Sequence, residues 1–222
     1  MKEGLKVIIT GASGLVGSEL LNLLAANDRV GAIKVFARRD CAVINNKQQN
    51  YIIDMSDIAH YAQDFSGDIY FCCLGTTMAQ AGSKEAFKKV DYDLVCNTLT
   101  IAASNQVETV CLVSSLGADA HSNIYYSHIK GLTEDALKNM NFKRSFIFRP
   151  SLLIGPRNHL RPSEKLAQIT APLWNNFLFG KLAKYKSIEA ITVANAMMQL
   201  AISDNYAGFN IFESDKIQSF GI

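Results

Sequence analysis

Short apolar runs along the chain alternate with stretches whose apolar residues recur every three or four positions. Leu5–Thr10 is almost continuously apolar, the pattern of a strand buried on both faces. Leu15–Ala26 then carries Leu15, Val16, Leu20, Leu21 and Leu24 at helical spacing. Ile33–Ala37 and Tyr51–Ile53 predict two more strands, Asp57–Phe65 a short helix, Ile69–Leu74 a fourth strand and Lys84–Ser104 a long helix. A further strand, helix and strand follow at Thr109–Val113, Tyr125–Met140 and Ser145–Phe148. Such alternation predicts βαβ crossovers and an α/β domain with a doubly wound parallel sheet. Ser151–Ser187 breaks the pattern with three of the four prolines, several basic residues and the aromatics Trp174, Phe177 and Phe179. Helical spacing returns at Ile188–Ile202, and Phe209–Phe212 suits a last strand. The expectation is one domain over residues 1–222, with 151–187 and 203–222 contributing a small cap on the substrate side.

Composition narrows the function classes. Hydrophobic residues make up 49% and charged residues 19%, ordinary globular usage that excludes a disordered chain. A net charge of +2, from 22 Lys and Arg against 20 Asp and Glu, is too weak to imply nucleic acid or an anionic membrane. No run approaches the roughly 18 apolar residues of a membrane helix. The opening Met1–Lys6 leads into an apolar stretch too short for the core of an export signal. Cys41, Cys72, Cys73, Cys96 and Cys111 are odd in number and fit no metal spacing, so they read as reduced thiols. A cytoplasmic protein without a metal site is expected.

The first strand ends in Gly11-Ala12-Ser13-Gly14-Leu15-Val16-Gly17, and a helix follows. Gly11 suits the tight turn, Gly14 lets backbone approach a pyrophosphate, and Gly17 lets the helix pack closely. The free N–H groups of the first helical turn then face the phosphates. About twenty residues on, an NAD site offers an acid to the ribose 2′-hydroxyl. This chain has Ala37-Arg38-Arg39 there, which favours the 2′-phosphate of NADP(H) over NAD(H) through charge-assisted hydrogen bonds. Asp40 close by weakens that preference slightly. Asp54, just after the third strand, suits either the adenine amino group or a local Asx turn.

Tyr126 and Lys130 stand four apart on a predicted helix and so share a face. A phenol with a pKa near about 10 needs help to act at neutral pH, and an adjacent ammonium supplies it. Ser114-Ser115 ends the preceding strand, where a hydroxyl can polarise a carbonyl. Together with the glycine turn and the run from Arg149-Pro150 to Gly155-Pro156, these residues resemble the short-chain dehydrogenase/reductase superfamily in its extended or atypical branch. Phe71–Thr77 and Ser114–Asp119 are similar to the fourth- and fifth-strand segments of its Tat-interactive-protein-like oxidoreductases. The resemblance covers Lys6 to Ala201. It implies a Rossmann fold binding NADP(H) and a Ser115-Tyr126-Lys130 active site. In it Ser115 orients the substrate, Tyr126 is the general acid/base, and Lys130 holds the nicotinamide ribose and depresses the tyrosine pKa. Leu74, Gly75 and Thr76 line that ribose, and Arg149-Pro150 reach the back of the nicotinamide.

The implied reaction is hydride transfer between nicotinamide and a small carbonyl or alcohol. The stretch available for a cap is short for a nucleotide-sugar epimerase. Two other classes share the turn: a non-catalytic NADP(H)-sensing module that binds a protein partner, and a quinone- or flavin-type reductase. Helices over Asp91–Ser104 and Tyr125–Met140 are the elements that often form a dimer contact in this superfamily, so a homodimer is an expectation. His128 reads as a solvated surface residue, and Cys72 and Cys73 as packing residues. Arg157, His159 and Arg161 suit a solvated loop at least as well as an anionic substrate group.

Overall fold

The computed structural model of the chain describes residues 3–155 and 180–221. Seven strands form one sheet: β1 Leu5–Thr10, β2 Val30–Ala37, β3 Gln48–Ile52, β4 Ile69–Cys72, β5 Thr109–Val113, β6 Arg144–Arg149 and β9 Gly208–Glu213. Their order is β3-β2-β1-β4-β5-β6-β9 and every pairing is parallel. A separate two-residue ladder joins β7 Leu153–Ile154 to β8 Ile188–Glu189. The helices are α1 Leu15–Ala26, α2 Met78–Ala81, α3 Lys84–Lys88, α4 Val95–Ser104, α5 Tyr125–Asn139, α6 Ala190–Ile202 and α7 Ser214–Gln218.

Alternation along the strands builds two cores. Val7 and Ile9 of β1 face one side with Leu20 and Leu24 of α1 and Ala194 and Met197 of α6. Ile8 faces the other with Phe36, Tyr70, Leu99, Leu112 and Leu137. Side chains two apart share a sheet face, so both faces of β1 are covered and its polar backbone is sealed in. β1 lies between β2 and β4, with Ile9 paired to Val35 on one side and to Phe71 on the other. The chain winds outward from β1 in both directions, which opens a crevice at the carboxyl ends of β1 and β4.

Several elements differ from the sequence reading. The expected helix at 57–65 is a 3₁₀ turn over Met55–Tyr61, started earlier by a cap on Asp54. The helix expected from Ile188 begins at Ala190, because Ile188 and Glu189 pair with Leu153 and Ile154 first. Between α3 and α4 the helix widens into a π segment over Lys89–Leu94. Arg157, His159, Arg161, Trp174, Phe177 and Phe179 lie outside the described residues. No helix of the described residues is long and apolar enough to cross a membrane.

Candidate active site

Gly11 has φ of 75°, the left-handed region that glycine enters without a steric penalty. A Cβ there would lie 2.3 Å from the carbonyl oxygen of Cys73, so β1 and β4 meet through this bare backbone. A Cβ on Gly17 would lie 2.2 Å from the Gly11 carbonyl oxygen: this glycine lets α1 settle on the turn itself. Gly14 is the N-cap of α1, has no side-chain cap, and no acidic residue sits in the first turn. Ser13 and Gly14 are exposed, whereas Ala12 and Val16 are buried beneath them. The first N–H groups of α1 therefore face the crevice free of competing side chains, as a pyrophosphate requires. The residues present fit a dinucleotide.

Arg38 and Arg39 are exposed just past β2. Asp40 Oδ1 accepts a hydrogen bond from Asn50 Nδ2 at 2.8 Å, which ties this acid to β3. Asp54 Oδ1 accepts from the Ser56 amide at 2.9 Å and hydroxyl at 2.8 Å. These bonds hold the Asp54 carboxyl below the usual range, helped by the charges of Lys89 and Arg38. The Asx turn is thus realised at Asp54.

The catalytic candidates gather beyond β4 and β5. Tyr126, half-buried, sits in the first turn of α5 with its ring 5.3 Å from that of the buried Phe87. Lys130, one turn on, is buried, and its Nζ lies 2.6 Å from Oδ1 of Asp91. Asp91 belongs to the π segment and is fully buried. Its Oδ2 accepts the Thr76 amide at 2.9 Å, and its backbone carbonyl accepts the Thr133 hydroxyl at 2.8 Å. Burial pushes the Lys130 amine down, but Asp91 and then Tyr126 push it up, and the balance leaves it above the ordinary lysine value. Gly75 lies against this pair: a Cβ there would stand 3.4 Å from Asp91 Oδ1 and 3.5 Å from Lys130 Nζ. Gly75 and Thr76 therefore meet Lys130 at Asp91.

Ser115 follows β5 with its hydroxyl 3.3 Å from the Leu116 carbonyl, a long contact that leaves it available. The Ser114 amide donates to Phe148 and the Leu116 amide to Pro150, at 2.8 and 3.0 Å, which zips the β5 exit to Arg149-Pro150. Behind them Glu134 of α5 is buried and takes a fork of hydrogen bonds from Arg149, including Nε at 3.0 Å and Nη2 at 2.5 Å. The Ser114 hydroxyl donates to the same carboxylate. Glu134 thus occupies Ser114 and leaves Ser115 as the serine at the crevice.

Asp91 and Glu134 are the site residues that sequence reasoning missed. Asp91 did carry a signal. Phe87, Asp91, Val95 and Thr98 repeat at inward-facing spacing, and a carboxylate in such a stripe needs a buried partner. His128 also differs from its reading: it is half-buried, and its Nδ1 lies 2.6 Å from the Ala120 carbonyl. That contact fastens the 115–124 loop to α5. Nearby, a Cβ on Gly131 would fall 2.0 Å from the Ala120 nitrogen. Burial pushes up the thiols of Cys41, Cys72, Cys73 and Cys111, and raises Cys96 to about 11. None of the five cysteines is a ready thiolate at neutral pH.

A family model described as the NAD binding domain of semialdehyde dehydrogenase matches residues 6–124. Protein HTATIP2 of Rattus norvegicus is 31% identical over 224 residues, spanning 97% of this chain and 88% of its own. Protein FMP52, mitochondrial, of Candida albicans is 34% identical over 204 residues, spanning 89% of this chain and 88% of its own. The chain belongs to the HTATIP2/FMP52 family. Solved structures share the fold. A UDP-glucose 4-epimerase from Thermotoga maritima superposes with a TM-score of 0.70 at 16% identity, covering 97% of this chain and 80% of its own. The Bordetella bronchiseptica enzyme WbmH, in complex with NAD+, gives 0.68 at 18%, covering 95% and 75%. This HTATIP2/FMP52-family chain therefore has a Rossmann-type domain that matches an NAD-binding family model over residues 6–124. The cytoplasmic expectation is corrected: FMP52 relatives from Candida albicans, Emericella nidulans and Scheffersomyces stipitis are named mitochondrial. Reduced cysteines and the lack of a long apolar run do not separate the two compartments, since mitochondrial leaders are amphipathic and arginine-rich rather than apolar.

Proposed function

We propose that the protein transfers hydride between NADP(H) and a small carbonyl or alcohol compound, with Ser115, Tyr126 and Lys130 as its working groups. The observation that carries this reading is the charged, buried amine of Lys130, one helical turn from Tyr126 at the switch-point crevice. The bound dinucleotide supplies or accepts the hydride. In the reducing direction the Ser115 hydroxyl donates a hydrogen bond to the carbonyl oxygen and holds it beside Tyr126. Tyr126 gives that oxygen its proton as the carbon is reduced. Lys130 stabilises the phenolate left behind, so a phenol works near neutral pH. In the oxidising direction Tyr126 takes the proton from the alcohol.

The preference for NADP(H) is supported by Arg38 and Arg39, both exposed, and by Asp40 being bound to Asn50. Tyr126→Phe tests the mechanism on a panel of aldehydes, ketones and quinones. Turnover should fall about 10²- to 10⁴-fold, the usual worth of a general acid, with NADPH affinity nearly kept. Retained turnover removes Tyr126 from the mechanism and favours the quinone- or flavin-type reduction. Tight NADPH binding with no consumption of any compound favours the sensing module.

A further inference from the structure

Asp91 stands where an apolar side chain is the simpler choice. Phe87 and Asp91 lie four apart on the inward face of a helix, with Val95 and Thr98 continuing it, and all four are buried. Replacing a buried ion pair by well-packed apolar residues is commonly neutral or stabilising, so stability alone does not account for a carboxylate here. The backbone is also unusual at this point. The π segment Lys89–Leu94 contains Asp91, and such widenings are frequent at functional sites. The carboxylate joins two parts of the crevice: Oδ2 takes the Thr76 amide of the β4 exit at 2.9 Å, and Oδ1 meets Lys130 Nζ of α5 at 2.6 Å.

We propose that Asp91 is a positioning residue that keeps Lys130 in its charged form and anchors it to the Gly75–Thr76 loop, where the nicotinamide ribose is expected. This rests on the hydride-transfer reading above and adds to it the group that controls the lysine. The other titratable groups facing Lys130 are Tyr126 on its own helix and Cys72 of β4. Burial keeps the Cys72 thiol protonated, so it supplies no charge at neutral pH. Glu134, one turn further along α5, is committed to Arg149 and Ser114. Asp91 is then the one carboxylate on the amine among the described residues. Without it the largest opposition to burial is gone, and Lys130 holds its proton less tightly.

The test follows the ε-carbon signal of Lys130 by NMR in ¹³C-lysine-labelled protein, assigned by its loss in Lys130→Arg. In the wild type Lys130 should titrate above an ordinary lysine; titration below that value overturns the proposal without any variant. In Asp91→Asn the midpoint should fall by at least about one pH unit, tenfold in proton affinity. An unchanged midpoint overturns the proposal. Asp91→Glu, which restores the charge, should return the midpoint most of the way, and a midpoint as low as in Asp91→Asn would overturn it as well. The readout needs no substrate. If the midpoint falls in Asp91→Asn while turnover keeps its wild-type pH profile, Asp91 does control the lysine, and the Ser-Tyr-Lys reading is the one that fails.

Discussion

Lys130 and Asp91 carry opposite charges into a place with almost no water, and neither is tolerable there alone. Lys130→Met leaves the Asp91 carboxylate uncompensated and should cost about 3–5 kcal/mol of stability. The double variant Lys130→Met/Asp91→Asn should cost clearly less than Lys130→Met by itself. Denaturant unfolding of the four proteins measures both, and simple additivity would contradict the pairing. The pH dependence follows from the raised lysine. Folding favours the protonated amine, so the pair's contribution is complete below the ordinary lysine value of about 10.4 and is lost as pH climbs through the folded value. Its effect on unfolding should therefore be flat from neutral pH to about 9 and shrink only beyond about 10.4. Past β2, Arg38 and Arg39 are exposed charges that the proposed reading assigns to the 2′-phosphate. Replacing both by alanine should weaken NADPH about tenfold or more, since bonds to a charged group are worth about 1.5–3 kcal/mol, and weaken NADH far less. Equal losses, read by fluorescence titration, would remove the 2′-phosphate argument.

Helices and strands were legible where one element carries its own signal. The glycine turn is such a case: the left-handed φ at Gly11 and the bare approaches at Gly11 and Gly17 are demands that glycine alone meets. The long helix was legible, but its π segment was not, since the inward-facing spacing of Phe87, Asp91 and Val95 is that of an ordinary α-helix. Element ends were misread where a partner sets them, as at Ile188, which pairs with Leu153 before α6 begins. Arg144 shows the same cross-element logic. It opens β6, and its guanidinium donates to the carbonyls of Leu200, Ala201 and Tyr206 at 2.8, 3.1 and 3.0 Å, and to that of Ser203. These contacts satisfy the free carbonyls at the end of α6 with a positive charge. Arg144 lies at the opposite end of β6 from the crevice. Arg144→Met should lower stability by about 2–3 kcal/mol, the worth of charged hydrogen bonds, and leave NADPH affinity unchanged. A loss of NADPH affinity in folded protein would contradict the separation of clamp and site.

At the scale of the molecule, the sheet order is what gathers the site. The chain leaves β1 toward β2 on one side and reaches β4 on the other. The turn after β1, the Leu74–Thr76 loop after β4, Ser115 after β5 and Arg149-Pro150 after β6 thus emerge along one edge. Helix α5 then crosses back with Tyr126 and Lys130. That much followed from strand and helix spacing, because each residue stands at the end of an element. Asp91 and Glu134 act through partners on other elements, at separations of 39 residues for the Lys130 pair and 15 for the Arg149 pair. A single chain read in order gives no pairing across such distances, which is why the supporting shell became visible only in three dimensions.

Hydride transfer to a carbon atom is followed most directly by an isotope. The protein would be given NADPH deuterated at both C4 positions with the carbonyl substrates it consumes, and the alcohol products read by mass spectrometry. Deuterium on the carbinol carbon with wild type, and very little with Tyr126→Phe, is the predicted result. Oxidation of NADPH with no deuterium in a carbon product, or equal transfer by Tyr126→Phe, would contradict the account.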